Sequence, residues 1–184
     1  MSPAVQGLYA LWHRPGADMD PGWWDSVELA AWRRPYATQA LLRPLLDTLI
    51  ATRLRHAGPV PPVSETAAVL LGNAARARTL CLALGLWALG SPDYLLLKPY
   101  REALSDALDA GTQRQLQALL PTGGGRATVA PQALPGVAAD LGAAWLGGAT
   151  DPAVRVCRLR WPPSTHPAPA RPVEPILVKL MRWL

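Results

Sequence analysis

At 184 residues and 19.7 kDa, with half of its side chains hydrophobic, the chain can bury one core of ordinary size and suits a single domain over 1–184. The formal charge of +5 is uneven, with 12 basic and 11 acidic side chains over 1–150 and 6 and 2 over 151–184, so the C-terminal part is the basic one. Two cysteines and three histidines, with no CxxC and no Cys/His cluster, exclude a disulfide framework and a zinc fold.

The opening segment MSPAVQGLYALWHRPGADMD lacks the charged start and apolar stretch of a secretory signal, which sets an expectation of a cytoplasmic protein. Asp20 and Pro21 pair an N-cap with a proline in the first turn and predict a helix through Trp23, Trp24, Val27, Leu29 and Trp32 to Pro35. A second helical stretch is expected over 36–56 with Leu42, Leu45, Leu46, Leu49 and Leu54 as its apolar ladder, kinked or restarted by Pro44. Residues 58–63 read as a proline-rich connector, after which Ser64 caps a short helix and Asn73 caps the next.

That next helix carries Leu80, Cys81, Leu82, Leu84, Leu86, Trp87 and Leu89 around nearly its whole circumference, which places it at the centre of the domain. Gly90 ends it, and Ser91 with Pro92 opens another helix. Over 100–110 the apolar Tyr100, Ala103, Leu104, Ala107 and Leu108 alternate at helical spacing with charged residues, and Gly111 is expected to stop that helix before TQRQLQALL begins one more. A glycine-rich loop over 122–130 follows, then a core helix with Val137, Leu141, Ala144 and Trp145. Residues 154–161 fit either a helix or a short strand-like extension, 162–175 form a proline-rich irregular segment, and PILVKLMRWL closes as an amphipathic helix. The fold class is therefore all-α, several short packed helices in one domain.

Chemistry is sparse. His13, His56 and His166 sit at proline or glycine boundaries without a second ligand at helical spacing. No GxSxG surrounds a serine, and Gly123-Gly124-Gly125 lacks the GK[ST] ending of a phosphate loop. Only a constellation assembled from distant residues such as His56, Asp140 and Cys157 would make an enzyme, so no enzymatic activity, cofactor or metal is expected. The longest apolar run, Leu80 to Gly90, is too short to span a bilayer. Arg155, Arg158, Arg160 and Trp161 combine charge with an aromatic and are the candidate partner-binding residues. Arginine beside tryptophan also suits nucleic acid, but no nucleic-acid-binding motif is present.

Several segments together carry a resemblance: LYALWHRPGADMDPGWW near the start, LxLxLGLxxLG over 80–90, KPYREALSDALDAGTQRQLQALL over 98–120, LGAAWLGGA over 141–149 and RLRWP over 158–162. In this order they resemble the SctK family, the accessory sorting-platform proteins of bacterial type III secretion known as YscK, PscK, OrgA or MxiK. The resemblance implies a helical, non-enzymatic adaptor at the cytoplasmic face of the inner membrane. Its implied partners are the cytoplasmic domain of the ring protein SctD and the pod protein SctQ, and indirectly SctL and the secretion ATPase. On that reading the basic C-terminal part meets an acidic partner surface. A helical chaperone or adaptor of another bacterial complex, and a basic nucleic-acid binder, are the alternatives.

Overall fold

The computed structural model describes residues 2–120 and 125–184, so residues 122–124 of the expected glycine-rich loop lie outside the described residues. Among the described residues helix is the only regular secondary structure. The chain opens with α1 (Pro3–His13), whose N-cap Ser2 accepts from Val5 N, followed by the single turn α2 (Pro15–Asp18). The helix expected from Asp20 to Pro35 is broken. α3 (Trp23–Ser26) stops at Glu28, which turns left-handed at φ 55°, and a short 3-10 turn leads into α4 (Arg33–Thr38). The turn closes because the amides of Glu28 and Leu29 donate back to Asp25 O and Trp24 O.

Pro44 does not kink a long helix; it lies in the first turn of a new one, α5 (Arg43–Arg53). α5 is held by a buried polar contact, in which Asp47 accepts from Gly16 N (3.0 Å) and from the Tyr36 hydroxyl (3.1 Å). Burial raises the pKa of the Asp47 carboxyl and pushes that of the Tyr36 hydroxyl up to about 12, while the two hydrogen bonds to Asp47 act the other way on the carboxyl. Gly16 belongs here sterically, since a Cβ would stand 2.8 Å from the Tyr36 ring.

After the connector, Ser64 caps α6 (Glu65–Gly72) by accepting from Ala67 N, and Asn73 caps α7 (Ala74–Leu89) by accepting from Arg76 N, as the sequence predicts. Gly90 closes α7 in the left-handed region at φ 67°. The following α8 (Asp93–Leu96) begins one residue later than expected, and Ser91 is buried rather than capping it. Gly111 does not separate the next two helices. α9 (Lys98–Leu104) ends in a turn, and Asp109 starts α10 (Ala110–Leu119) by accepting from Thr112 N at 2.8 Å, which draws Gly111 inside the new helix.

α11 (Leu134–Gly147) is the expected core helix, although its buried side is Leu134, Ala138, Gly142, Ala143, Ala144 and Leu146 rather than one centred on Val137 and Leu141. The ambiguous segment resolves as helix: Asp151 accepts from Ala153 N, α12 (Pro152–Cys157) follows, and a 3-10 turn completes it. The period-two alternation loses because Val154, Val156, Cys157 and Leu159 all find buried positions on a helical path. Residues 162–173 carry no regular structure but are tied down, by His166 to Asp140 (2.8 Å) and by Pro169 against Gly148. The last helix is α13 (Glu174–Trp183), with Leu177 and Leu180 buried.

The core is organised by α7 crossing α11. A Cβ at Gly85 would fall 1.7 Å from Ala138 O, and one at Gly142 would fall 1.9 Å from Cys81 O, so the two backbones touch at two glycines. α1, α6 and α12 pack against one another beside this pair, α13 lies along α7, and α8, α9 and α10 cluster together with α9 against α11. α5 sits at the margin, packed on α1 and α2. The buried side chains form one connected cluster.

Candidate partner-binding surface

The four residues singled out from charge and aromaticity do different things. Arg155 is exposed on α12. Arg158 is half-buried, its guanidinium 4.7 Å above the Trp23 ring, and Gly147 leaves it room, since a Cβ there would lie 2.4 Å from Nη1. Arg160 donates from Nη1 to Leu71 O at 3.2 Å, where a cation suits the C-terminal end of α6. Trp161 packs against the core and its carbonyl accepts from Trp23 Nε1 at 2.8 Å. Two arginines and the tryptophan therefore bind the closing segment to the rest of the fold.

Arg155 and Arg158 also line a cleft of about 390 Å³ with Trp12, Arg55, His56 and Pro152. This cleft brings together the ends of α1, α5 and α11 with α12. Arg55 has a specific local cause. His56 N donates to Ala51 O (2.9 Å) and Arg55 N to Thr52 O (3.0 Å), the Schellman closure of α5, which places Arg55 in the left-handed region at φ 59° where glycine is the easy choice. The His56 ring stacks on Trp12 with centroids 4.6 Å apart, and its Nδ1 is buried without a hydrogen-bond partner in the protein.

Among the described residues no carboxylate lies within ion-pair distance of Arg55, Arg155 or Arg158. Burial, reinforced by the Arg155 charge, holds the Arg158 guanidinium below the usual arginine value, although arginine stays charged. Burial lowers the His56 pKa, with the Trp12 backbone opposing and the Arg158 charge adding to the effect. Sequence reasoning missed Arg55 and Trp12 and weighed His56 only for an enzyme constellation with Asp140 and Cys157, which the cleft does not assemble. The readable signal was the triplet Leu54-Arg55-His56 at a helix end; its convergence on α12 was not readable.

A second feature lies on α5. Leu41, in the 3-10 turn before α5, and Leu45 and Leu49 on α5 follow one another at four-residue spacing and are 95%, 68% and 37% exposed, while Leu46 and Ile50 are buried. The expected apolar ladder is thus corrected: Leu45 and Leu49 face outward, because only the side holding Leu46, Asp47 and Ile50 meets the core. Residues 30–57 contain five arginines, all exposed, against the single acid Asp47, which is buried. Arg43 and Arg53 are held in place by backbone carbonyls, Arg43 by Tyr36 O and Ala37 O, Arg53 by Val27 O.

Cys81, Cys157 and the Asp140–His166 pair are engaged within the fold. Burial pushes Cys81 and Cys157 each up to about 12, so both remain thiols, with Cys81 donating to Ala139 O and Cys157 to Ala153 O. Asp140 pairs with His166, away from the His56 ring stacked on Trp12. Among the described residues no group of three or more metal-binding side chains gathers, and no single helix is long and apolar enough to cross a membrane.

Among the described residues the chain is a body of packed helices that leaves leucines exposed beside arginines, and its class is all-α. The family described as type III secretion system subunit matches residues 6–159, and the chain belongs to that family. No curated protein and no solved structure matches it.

Proposed function

We propose that this subunit is a non-enzymatic adaptor of the SctK type, acting at the cytoplasmic face of the inner membrane between the cytoplasmic domain of SctD and the pod protein SctQ. Family membership supports the secretion assignment, and the order of segments from LYALWHRPGADMDPGWW to RLRWP supports the finer one. The observation that carries the adaptor role is the Leu41, Leu45, Leu49 face. Fully covering an exposed leucine is worth about 1.5–3 kcal/mol, so Leu41 and Leu45, with the smaller remaining surface of Leu49, offer a partner helix an apolar anchor. The surrounding arginines favour a helix with acidic flanks and orient its approach.

Arg155, exposed on α12, extends the basic surface toward the C-terminal part, whereas Arg158, Arg160 and Trp161 support it from within. The test is co-purification of the full chain with SctQ and with the SctD cytoplasmic domain. Leu41→Glu combined with Leu45→Glu is expected to abolish one of the two associations while far-UV circular dichroism is unchanged. Retention of both partners by the folded double variant would sink the reading. Charge reversal at Arg155 is the better probe of the basic part, because reversal at Arg158 or Arg160 also breaks contacts inside the fold.

A further inference from the structure

The cleft between α5 and α12 has a chemistry that packing does not require. Its wall carries three guanidiniums, from Arg55, Arg155 and Arg158, and no carboxylate. Like charges gathered in a concave, partly desolvated site repel one another, so the arrangement is costly unless an anion joins it. Arg158 is also fixed in place, by Trp23 on its face and by the space Gly147 leaves. Arg55 occupies a left-handed position that an arginine fills only against its steric preference. The cleft, at about 390 Å³, has the size of a small-molecule site, and the stacked Trp12 and His56 rings give it an aromatic wall.

We propose that this cleft binds a phosphate group, with Arg55, Arg155 and Arg158 as its ligands. Guanidinium pairs with phosphate oxygens through parallel N–H···O bonds, and a dianion balances three cations better than a single carboxylate does. This site does not use the leucine face on α5, but it shares Arg55 and Arg155 with the basic surface of the proposed adaptor, and phosphate titration of the isolated chain reads it apart from partner co-purification.

The test uses the full chain and inorganic phosphate or pyrophosphate, read by isothermal titration calorimetry and by thermal shift, against chloride at matched ionic strength. A saturable phosphate-specific signal is expected, weakened at least tenfold by Arg155→Ala and by Arg55→Gly. Arg55→Gly relieves the left-handed strain, so its melting temperature should not fall and lost binding cannot be ascribed to unfolding. Sedimentation with phosphatidylglycerol vesicles separates the sources: capture that depends on the same arginines, without response to free phosphate, assigns the group to a lipid headgroup. No response to either probe, or a response untouched by both variants, overturns the site. So does saturable binding of a glutamate-rich peptide in the absence of phosphate binding, which would give the cleft to a protein partner.

Discussion

The α7–α11 crossing and the α5 margin put opposite demands on the same residue types. At the crossing, Gly85 and Gly142 let backbone meet backbone, and the leucines around them are spent entirely on burial. At α5 and the turn before it, Leu41 and Leu45 stand in water with Leu49 less exposed beside them, while Arg55, at the helix end, holds a strained backbone beside two further arginines. The first region shows what stability asks for and the second shows what is left when stability has been satisfied. A leucine count cannot tell them apart; the position of the neighbours can.

The largest expected effect breaks the crossing. Gly142→Ala must separate the two helices and is expected to cost about 3 kcal/mol or more, or to prevent folding, in urea unfolding followed by circular dichroism. Gly136, two turns earlier on the same helix, has nothing within 4 Å of a would-be Cβ, so Gly136→Ala should instead stabilise by about 0.5–1 kcal/mol. Equal responses at the two glycines would refute the close approach.

On α5 the contrast runs across a single helix. Ile50→Ala is expected to cost roughly 2–5 kcal/mol, as for a fully buried aliphatic, and Leu45→Ala to stay within about 0.5 kcal/mol. Comparable losses in chemical denaturation would mean that the leucine face is covered in the isolated chain. Smaller still, Arg55→Gly should raise stability by up to about 1 kcal/mol by removing a left-handed arginine, partly offset by the greater entropy of an unfolded glycine. A drop in unfolding midpoint would show that the Arg55 side chain contributes to the fold.

The finest effect is pH dependence at the cleft. Burial, opposed by the Trp12 backbone and reinforced by the Arg158 charge, holds the folded pKa of His56 below the unfolded value, with Arg55 and Arg155 also lining the cleft. Its contribution to stability is therefore present in full above the unfolded pKa of about 6.5 and is lost as pH falls through the folded value. Melting temperature should decline over that window, and His56→Gln should flatten the decline. An unchanged profile in the variant would remove His56 as the group responsible.

Much of the helix punctuation was legible because it is local. Ser64 and Asn73 cap the helices they precede, and Gly90 ends α7, each by a contact with a near neighbour in the chain, whereas the segment that Asp151 caps fits helix and strand alike by sequence. Asp109 was passed over in favour of Gly111 because an aspartate within a charged pattern reads as solvated surface until its carboxylate is seen to accept from Thr112 N. The break after Ser26 was hidden for a similar reason, since nothing in the composition of 20–35 marks Glu28 as left-handed. Of the surface residues, the arginines could be found by charge but not sorted by role.

By itself the amino-acid sequence determined an all-helical chain, the central place of α7 and the absence of a recognisable catalytic motif, because period, caps and composition act over a few residues. Only the tertiary structure decided which arc of α5 faces water and which arginines are spent within the fold. It also brought Arg55, Arg155 and Arg158 to one cleft. Those outcomes depend on contacts between segments as far apart as Trp23 and Trp161, and side-chain direction there follows from what has packed against it.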